Sequence, residues 1–528
     1  MKKIFVLLLI TALAAFLRFY QLDSIPAGLH ADAASQGYNA YSLLQTGKDR
    51  YGEPFPILFR AYGSYQPPIY TYLATMPVSI FGNNPFSARF VSAFSGTVLI
   101  LLTFIFVYLL FNIKERFKLA TAASFLVAIA PWSVFFSRLT VEANLALSIF
   151  ALSIILFLVA SRKPSFFPLG CLFLGISTHA YYSERVIALI FLPIFLFLFR
   201  MTFIKSKRWV IFGLVIFIIT QIPHIQIIQS GAFSRRFDQV GIDSSPINAG
   251  KIFLENFAVY YSPNNLFFDS DTNLGRTTPL LSVFYSLLLV PFIFGIRYLV
   301  KNFKQTDVRI LGLLILITPI PAGLTSDAFY PLRALDFLWA ITILISIGVY
   351  ALYRKIRSRN IKILLSLLII PYFLFSLYVS YFILFKYEKA INYGYPYIKL
   401  MDKLPAYKNK EIVIDLSRDL GVGVRLAYLI SYDPIRMQEQ LSPQLKSPYY
   451  SSIVNADETY TIGNITVKPL DWGDTCKDLI LIGDTLAISD SEVEEHKLKL
   501  EFEIPNITGE AALRGFSTNP LEKCPQKN

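Results

Sequence analysis

Histidine and cysteine are nearly missing from this chain of 528 residues, which holds four of the first and three of the second. The histidines are scattered, and no Cys/His spacing suits a zinc site. Glycine-rich phosphate loops and serine nucleophile elbows are absent, which removes P-loop and serine-hydrolase chemistry. Internal repeats and low-complexity tracts are absent as well. Charge is also scarce: 16% of residues are charged, against 54% apolar and 15% aromatic. A soluble multidomain protein of this length would expose far more polar surface, so the composition describes a chain that lives in a bilayer.

The apolar residues fall in eleven runs: 4–20, 90–111, 118–136, 143–160, 166–180, 186–204, 209–228, 279–300, 309–324, 332–353 and 362–385. Most approach the roughly 20 residues that a helix needs to cross a membrane. The first run follows Lys2 and Lys3 and contains "ALAA" at 12–15, as a signal peptide would. It continues through Phe16 and Leu17 to Arg18, so an uncleaved first span is expected.

Basic residues then orient the spans, because cytoplasmic loops retain Lys and Arg. "KERFK" (114–118), "SRKPS" (161–165), "KSKR" (205–208), "RYLVKNFKQTDVR" (297–309) and "RKIRSRNIK" (354–362) fall on the side of Lys2 and Lys3. This puts the N-terminus in the cytoplasm of a cell whose plasma membrane holds the chain, and the C-terminus outside. Residues 1–386 hold 15 Asp and Glu, of which only Glu115 and Asp307 lie in the basic loops. Chemistry that needs carboxylates therefore faces outward. The net charge of +13 is a topology signal and implies no nucleic-acid partner.

Outward segments 21–89, 229–278 and 386–528 are too long for simple connections. In the first, "DAASQGYNAYSLLQTG" (32–47) predicts a short helix stopped by Gly47, and "PPIYTYLATMPVSIFG" (67–82) predicts a second. The tail turns acidic, with 16 Lys and Arg against 21 Asp and Glu. Its runs "EIVIDL" (411–416), "TYTIGNITVKPL" (459–470), "DLILIGD" (478–484) and "HKLKLEFEI" (496–504) read as strands, and "VRLAYLI" (424–430) reads as a helix. The expected architecture is an α-helical polytopic membrane domain of about eleven spans (1–386), carrying outer loops 21–89 and 229–278, followed by a small extracytoplasmic α/β domain (387–528). Cys476 and Cys524 both fall in that tail, where a disulfide is chemically permitted.

Asp32 in "LHADAASQGYNAY" (29–41) is an isolated carboxylate just beyond the first span. One reading is a helix N-cap. The other is a general base at the wet boundary where a lipid substrate and a soluble one meet. Polar groups gather on the same side: Arg138 and Glu142 in "FSRLTVEAN" (136–144), His179, Tyr181, Glu184 and Arg185 in "STHAYYSER" (177–185), and Asp327, Tyr330 and Arg333 in "TSDAFYPLRALD" (325–336). Arg276 adds a cation in the second long loop. Arginines in such a place suit a phosphate, which the guanidinium fork grips with two charge-assisted bonds.

With these residues the sequence resembles the integral-membrane GT-C glycosyltransferases of the protein-mannosyltransferase and aminoarabinose-transferase type. The likeness covers roughly 4–350 and rests on Asp32, "YQPPIYTYL" (65–73), "ARFVSAFSG" (88–96), "APWSVFFSRLTVEAN" (130–144) and "PIPAGLTSDAFYPLRAL" (319–335). It implies a polyprenyl-phosphate sugar donor, a lipid, glycan or protein acceptor outside the membrane, and inversion at the anomeric carbon. Asp32 is then the base, Arg138, Arg185, Arg276 and Arg333 the phosphate contacts, and Gln66, Glu142, His179, Tyr181 and Tyr330 further substrate contacts. Two positions depart from the family pattern. Ala33 replaces the second acid of an Asp-Glu pair, so no clear ligand cluster supports a divalent cation. Gln66 replaces a lysine expected to meet the lipid phosphate. A lipid-sugar transporter or an inactive relative would share the span count, but the spans carry almost no mid-membrane charge of the kind transport uses.

Overall fold

The computed structural model describes residues 2–269, 278–455 and 458–524. The chain divides into two compact units. One comprises 1–20, 90–229 and 233–383, and the other comprises 21–89, 230–232 and 384–528.

The first unit is helical, and each of the eleven apolar runs contains helix, although the run 279–300 becomes helical only from Ser286. Among the described residues, six helices are long and apolar enough to cross a membrane: Pro85–Leu110, Glu142–Ala160, Lys207–Ile228, Thr306–Gly323, Pro331–Lys355 and Arg359–Glu388. The run 118–136 is a bent pair, Arg116–Ile129 and Pro131–Ser137, meeting at 57°. The bend has a local cause: a residue before proline is driven out of the helical region, and Ala130 is extended at ψ 133°. The remaining runs fold as shorter helices such as Lys2–Phe19, Phe167–Ala180 and Ser183–Leu198.

The second unit draws the boundary elsewhere than 386/387, because the whole first loop packs with the tail. Helix Ala31–Thr46 ends at Gly47 as expected, and helix Pro68–Phe81 follows a hairpin of β1 (Phe59–Ala61) and β2 (Ser64–Gln66). The tail is a six-stranded sheet built from β3 (Glu411–Asp415), β4 (Tyr460–Ile462), β5 (Ile465–Lys468), β6 (Leu479–Gly483), β7 (Lys499–Pro505) and β8 (Ala511–Ser517). Its order is β4-β5-β3-β6-β8-β7; β3 runs parallel to both β5 and β6, and the other pairs are antiparallel.

Alternation along β3 and β6 gives this sheet two apolar faces. Val413, Leu479, Leu481 and Phe516 pack beneath Ile488 and Leu498. Ile412, Ile414, Ile480 and Ile482 instead share one core with the tail helix Val422–Leu429 and with Leu29, Ala33, Ala34 and Tyr38 of the first loop. Gly37 is where the two helices meet, since a Cβ there would lie 2.6 Å from the Tyr428 ring. A disulfide joins Cys476 to Cys524.

Candidate active site

Asp32 is not the helix cap. The N-cap of Ala31–Thr46 is His30, whose Nδ1 accepts the Asp32 N–H at 3.3 Å. A carboxylate at the second helical position instead meets the positive end of the helix dipole. About half of the Asp32 side chain is open to solvent. Its Oδ2 lies 3.6 Å from the same His30 Nδ1, which cannot accept the N–H and carry a proton at once.

The other oxygen of Asp32 is fixed from inside the unit. Gln66 Nε2 donates to Oδ1 at 3.2 Å, and Gln66 Oε1 accepts from Ser35 Oγ at 3.0 Å. Ser35 Oγ in turn accepts from the Arg50 guanidinium at 2.6 Å. Arg50 is fully buried, donates to the Tyr51 hydroxyl at 3.0 Å, and lies 4.8 Å over the Tyr51 ring. The Tyr51 hydroxyl donates to the buried Glu458 of the tail. An amide at 66 thus orients the carboxylate, and a buried cation stands behind it. Sequence reading missed Arg50 because "GKDRYGEP" (47–54) looks like a solvated turn; its burial depends on partners about 400 positions away.

In the helical unit, Tyr181 is electrostatically coupled to Arg333, Tyr330, Arg236 and Glu142, and burial holds its hydroxyl above the ordinary tyrosine range. The Arg333 guanidinium donates to Thr325 Oγ1 at 2.8 Å, pairs with Asp327 Oδ2 at 3.0 Å and lies 4.7 Å over the Tyr330 ring. Glu142 opens helix Glu142–Ala160, whose N-cap is Val141 rather than Thr140. The structure therefore gathers Glu142, Tyr181, Tyr330 and Arg333, and adds Arg236.

Arg138, Arg185 and His179 make contacts of their own. Arg138 is fully buried, donating to the Leu17 and Arg18 carbonyls at 3.0 and 3.1 Å beneath the Phe382 ring. Arg185 donates to the Phe233 carbonyl at 3.0 Å between the Tyr182 and Phe233 rings. His179 stacks on His224 at 3.8 Å and contacts the Thr220 carbonyl, so two of the scattered histidines meet. Arg276 lies outside the described residues. Sequence reading named Glu184 but passed over Asp336, a second buried carboxyl that interacts with it. Among the described residues, no group of three or more His, Cys, Asp or Glu is placed to hold a metal ion.

Comparison with known proteins follows this geometry. Residues 65–227 match the family model described as dolichyl-phosphate-mannose-protein mannosyltransferase. No curated protein sequence matches the chain. The fold is that of ArnT from Cupriavidus metallidurans: the apo structure aligns with a TM-score of 0.58 at 11% identity over 98% of this chain and 99% of that one. The same enzyme bound to undecaprenyl phosphate aligns with a TM-score of 0.54 at 12% identity, covering 96% and 97%. The Archaeoglobus fulgidus oligosaccharyltransferase, in its apo form, aligns with a TM-score of 0.50 at 11% identity over 98% of this chain and 74% of that one. The fold is thus that of ArnT, in a chain with several helices long and apolar enough to cross a membrane.

Proposed function

We propose that this protein transfers a sugar from a polyprenyl-phosphate carrier to the hydroxyl of an extracytoplasmic acceptor, with inversion at the anomeric carbon. The observation that carries this reading is Asp32: an accessible carboxylate at a helix N-terminus, with one oxygen held by Gln66 and the other free to take a proton. The mannosyltransferase match over 65–227 and a fold shared with ArnT bound to undecaprenyl phosphate support it.

In the reaction, Asp32 removes the acceptor hydroxyl's proton as the acceptor oxygen bonds to the anomeric carbon. The bond from that carbon to the carrier phosphate breaks on the opposite face. Polyprenyl phosphate leaves as an anion that needs little acid assistance, so one base suffices. Arg333 supplies the cation for the developing phosphate charge, and the Tyr181 hydroxyl, kept neutral by its surroundings, donates beside it. Gln66 acts by orienting Asp32.

The test uses the purified full chain in vesicles containing a polyprenyl-phosphate-linked hexose and a membrane extract as acceptor source. Free polyprenyl phosphate and a new glycoside should appear together. Movement of the sugar lipid across the bilayer with no glycoside formed would assign the protein to transport instead.

A further inference from the structure

At the end of the helical unit where the basic loops gather, the structure leaves a cavity of about 340 Å³. Ile113 and Leu119 form an apolar wall, Tyr298 and Tyr350 present phenol rings, and Arg354 and Lys355 close the polar side. These residues come from three of the basic segments seen in the sequence, 114–118, 297–309 and 354–362, and from the apolar positions beside them. Two of the contributors, helices Leu289–Lys301 and Leu335–Lys355, pack backbone to backbone: a Cβ at Gly348 would lie 1.7 Å from the Pro291 carbonyl oxygen. They then open toward this end, where the side chains become Tyr298, Tyr350 and Arg354.

We propose that this cavity binds the phosphodiester headgroup of an anionic membrane lipid. Arg354 and Lys355 are exposed cations in the last turn of their helix. Arg354 stands 5.9 Å over the Tyr350 ring and Lys355 4.5 Å over Phe294. Neither has a salt-bridge partner among the described residues. Two acids lie nearby. Glu115 is engaged by Lys118 and by the Tyr350 hydroxyl at 2.9 Å, and Asp307 interacts with Tyr298. The helix's C-terminal dipole repels an anion, so the two cations must carry the attraction. A guanidinium fork, an ammonium and a phenol hydroxyl match phosphate oxygens. The apolar wall, with Val300, Phe303 and Tyr353 exposed around the same loops, matches the start of acyl chains and not a free, hydrated phosphate. A basic pocket between membrane helices is a recognised form of headgroup site, and this volume falls at the small end of ligand pockets.

The experiment is native mass spectrometry of the full-length protein extracted from vesicles of mixed phosphatidylglycerol and phosphatidylcholine, counting retained lipids. Wild type should retain phosphatidylglycerol preferentially. Arg354→Gln and Lys355→Gln should each weaken that preference about fivefold, and together roughly twentyfold. Ala351→Trp, which fills the cavity and leaves both cations in place, should abolish it while the protein stays monodisperse. Lys205→Gln with Arg208→Gln, on a different basic segment, should leave it unchanged. The proposal is overturned if wild type shows no preference, or if the 205/208 variant weakens it as much as the 354/355 variant. Displacement of the lipid by glycerol 3-phosphate at equal concentration would overturn it too, making the site one for a soluble phosphate.

Discussion

Both units bury arginines, and they use them differently. In the helical unit Arg138, Arg18 and Arg185 close helix ends. Arg138 donates to the last carbonyls of Lys2–Phe19, Arg18 to the Val127 and Ala128 carbonyls ending Arg116–Ile129, and Arg185 to Thr178 near the end of Phe167–Ala180. Those carbonyls lack intrahelical partners, and in an apolar medium no water replaces them. In the other unit the arginines tie distant parts of the chain together. Arg60 donates to Ser447, Pro448, Ile453 and Asn455; Arg425 donates to the Leu29 carbonyl at 2.7 Å while paired with Asp419; Arg50 reaches Glu458 through Tyr51. The lesson is that the tail is no appendage: it supplies half the interior of the segment that carries Asp32.

The strongest way to break this comparison is to cut the chain after residue 388. The first loop would lose the core formed by Ile412, Leu426 and Tyr428, so 21–89 should become sensitive to protease and sugar transfer should vanish. A truncated protein with a protected first loop would mean that the loop folds without the tail.

Next come single arginines. Arg50→Met leaves Ser35, Tyr51 and Glu458 buried without their cation and should destabilise its unit by roughly 3 kcal/mol. Arg138→Met strands the neutral Leu17 and Arg18 carbonyls, and its cost should be smaller, on the order of 1–2 kcal/mol. Equal losses of melting temperature would erase the distinction between stapling and capping.

A pH dependence is expected as well. Burial pushes the Asp49 carboxyl up to about 6, although the Tyr449 hydroxyl and the N–H groups of Tyr51 and Glu53 donate to it. A raised carboxyl binds its proton more tightly in the fold than in the unfolded chain. Its stabilisation is therefore full below the unfolded value near 4 and is lost as pH rises through about 6. Melting of this unit should weaken by about 3 kcal/mol over that window. Asp49→Asn should flatten the profile, and a profile unchanged by the substitution would remove Asp49 as its source.

Much of this was legible in the sequence, for definite reasons. Apolar runs gave the helices, and alternation gave β3 to β7, because both periodicities are local. Ala511–Ser517 was missed since "AALRGFS" offers only Leu513 and Phe516 as large apolar residues, and their pairing with β6 and β7 makes the strand. Asp32 stood out as an isolated acid, but its cap role did not survive, because His30, two residues earlier, takes the N–H. Arg138 and Arg185 looked like phosphate ligands because sequence cannot tell a cation aimed at a substrate from one aimed at a helix end. Arg50 was invisible for a different reason: its direct partners Ser35 and Tyr51 are local, but Glu458, which Tyr51 reaches, is remote in the chain.

The central claim is that Asp32 is a base oriented by Gln66. The direct measurement is the turnover of a polyprenyl-phosphate-linked hexose by Asp32→Asn beside wild type, with donor retention and melting temperature recorded on the same preparations. Because Asp32 is not the cap, Asn should leave the fold intact, keep the hydrogen bond to Gln66 by an amide flip, and retain donor. Turnover should fall by on the order of 10²–10⁴-fold, the loss expected when a general base is removed. Transfer at near wild-type rate by a folded, donor-binding Asp32→Asn protein would contradict the account.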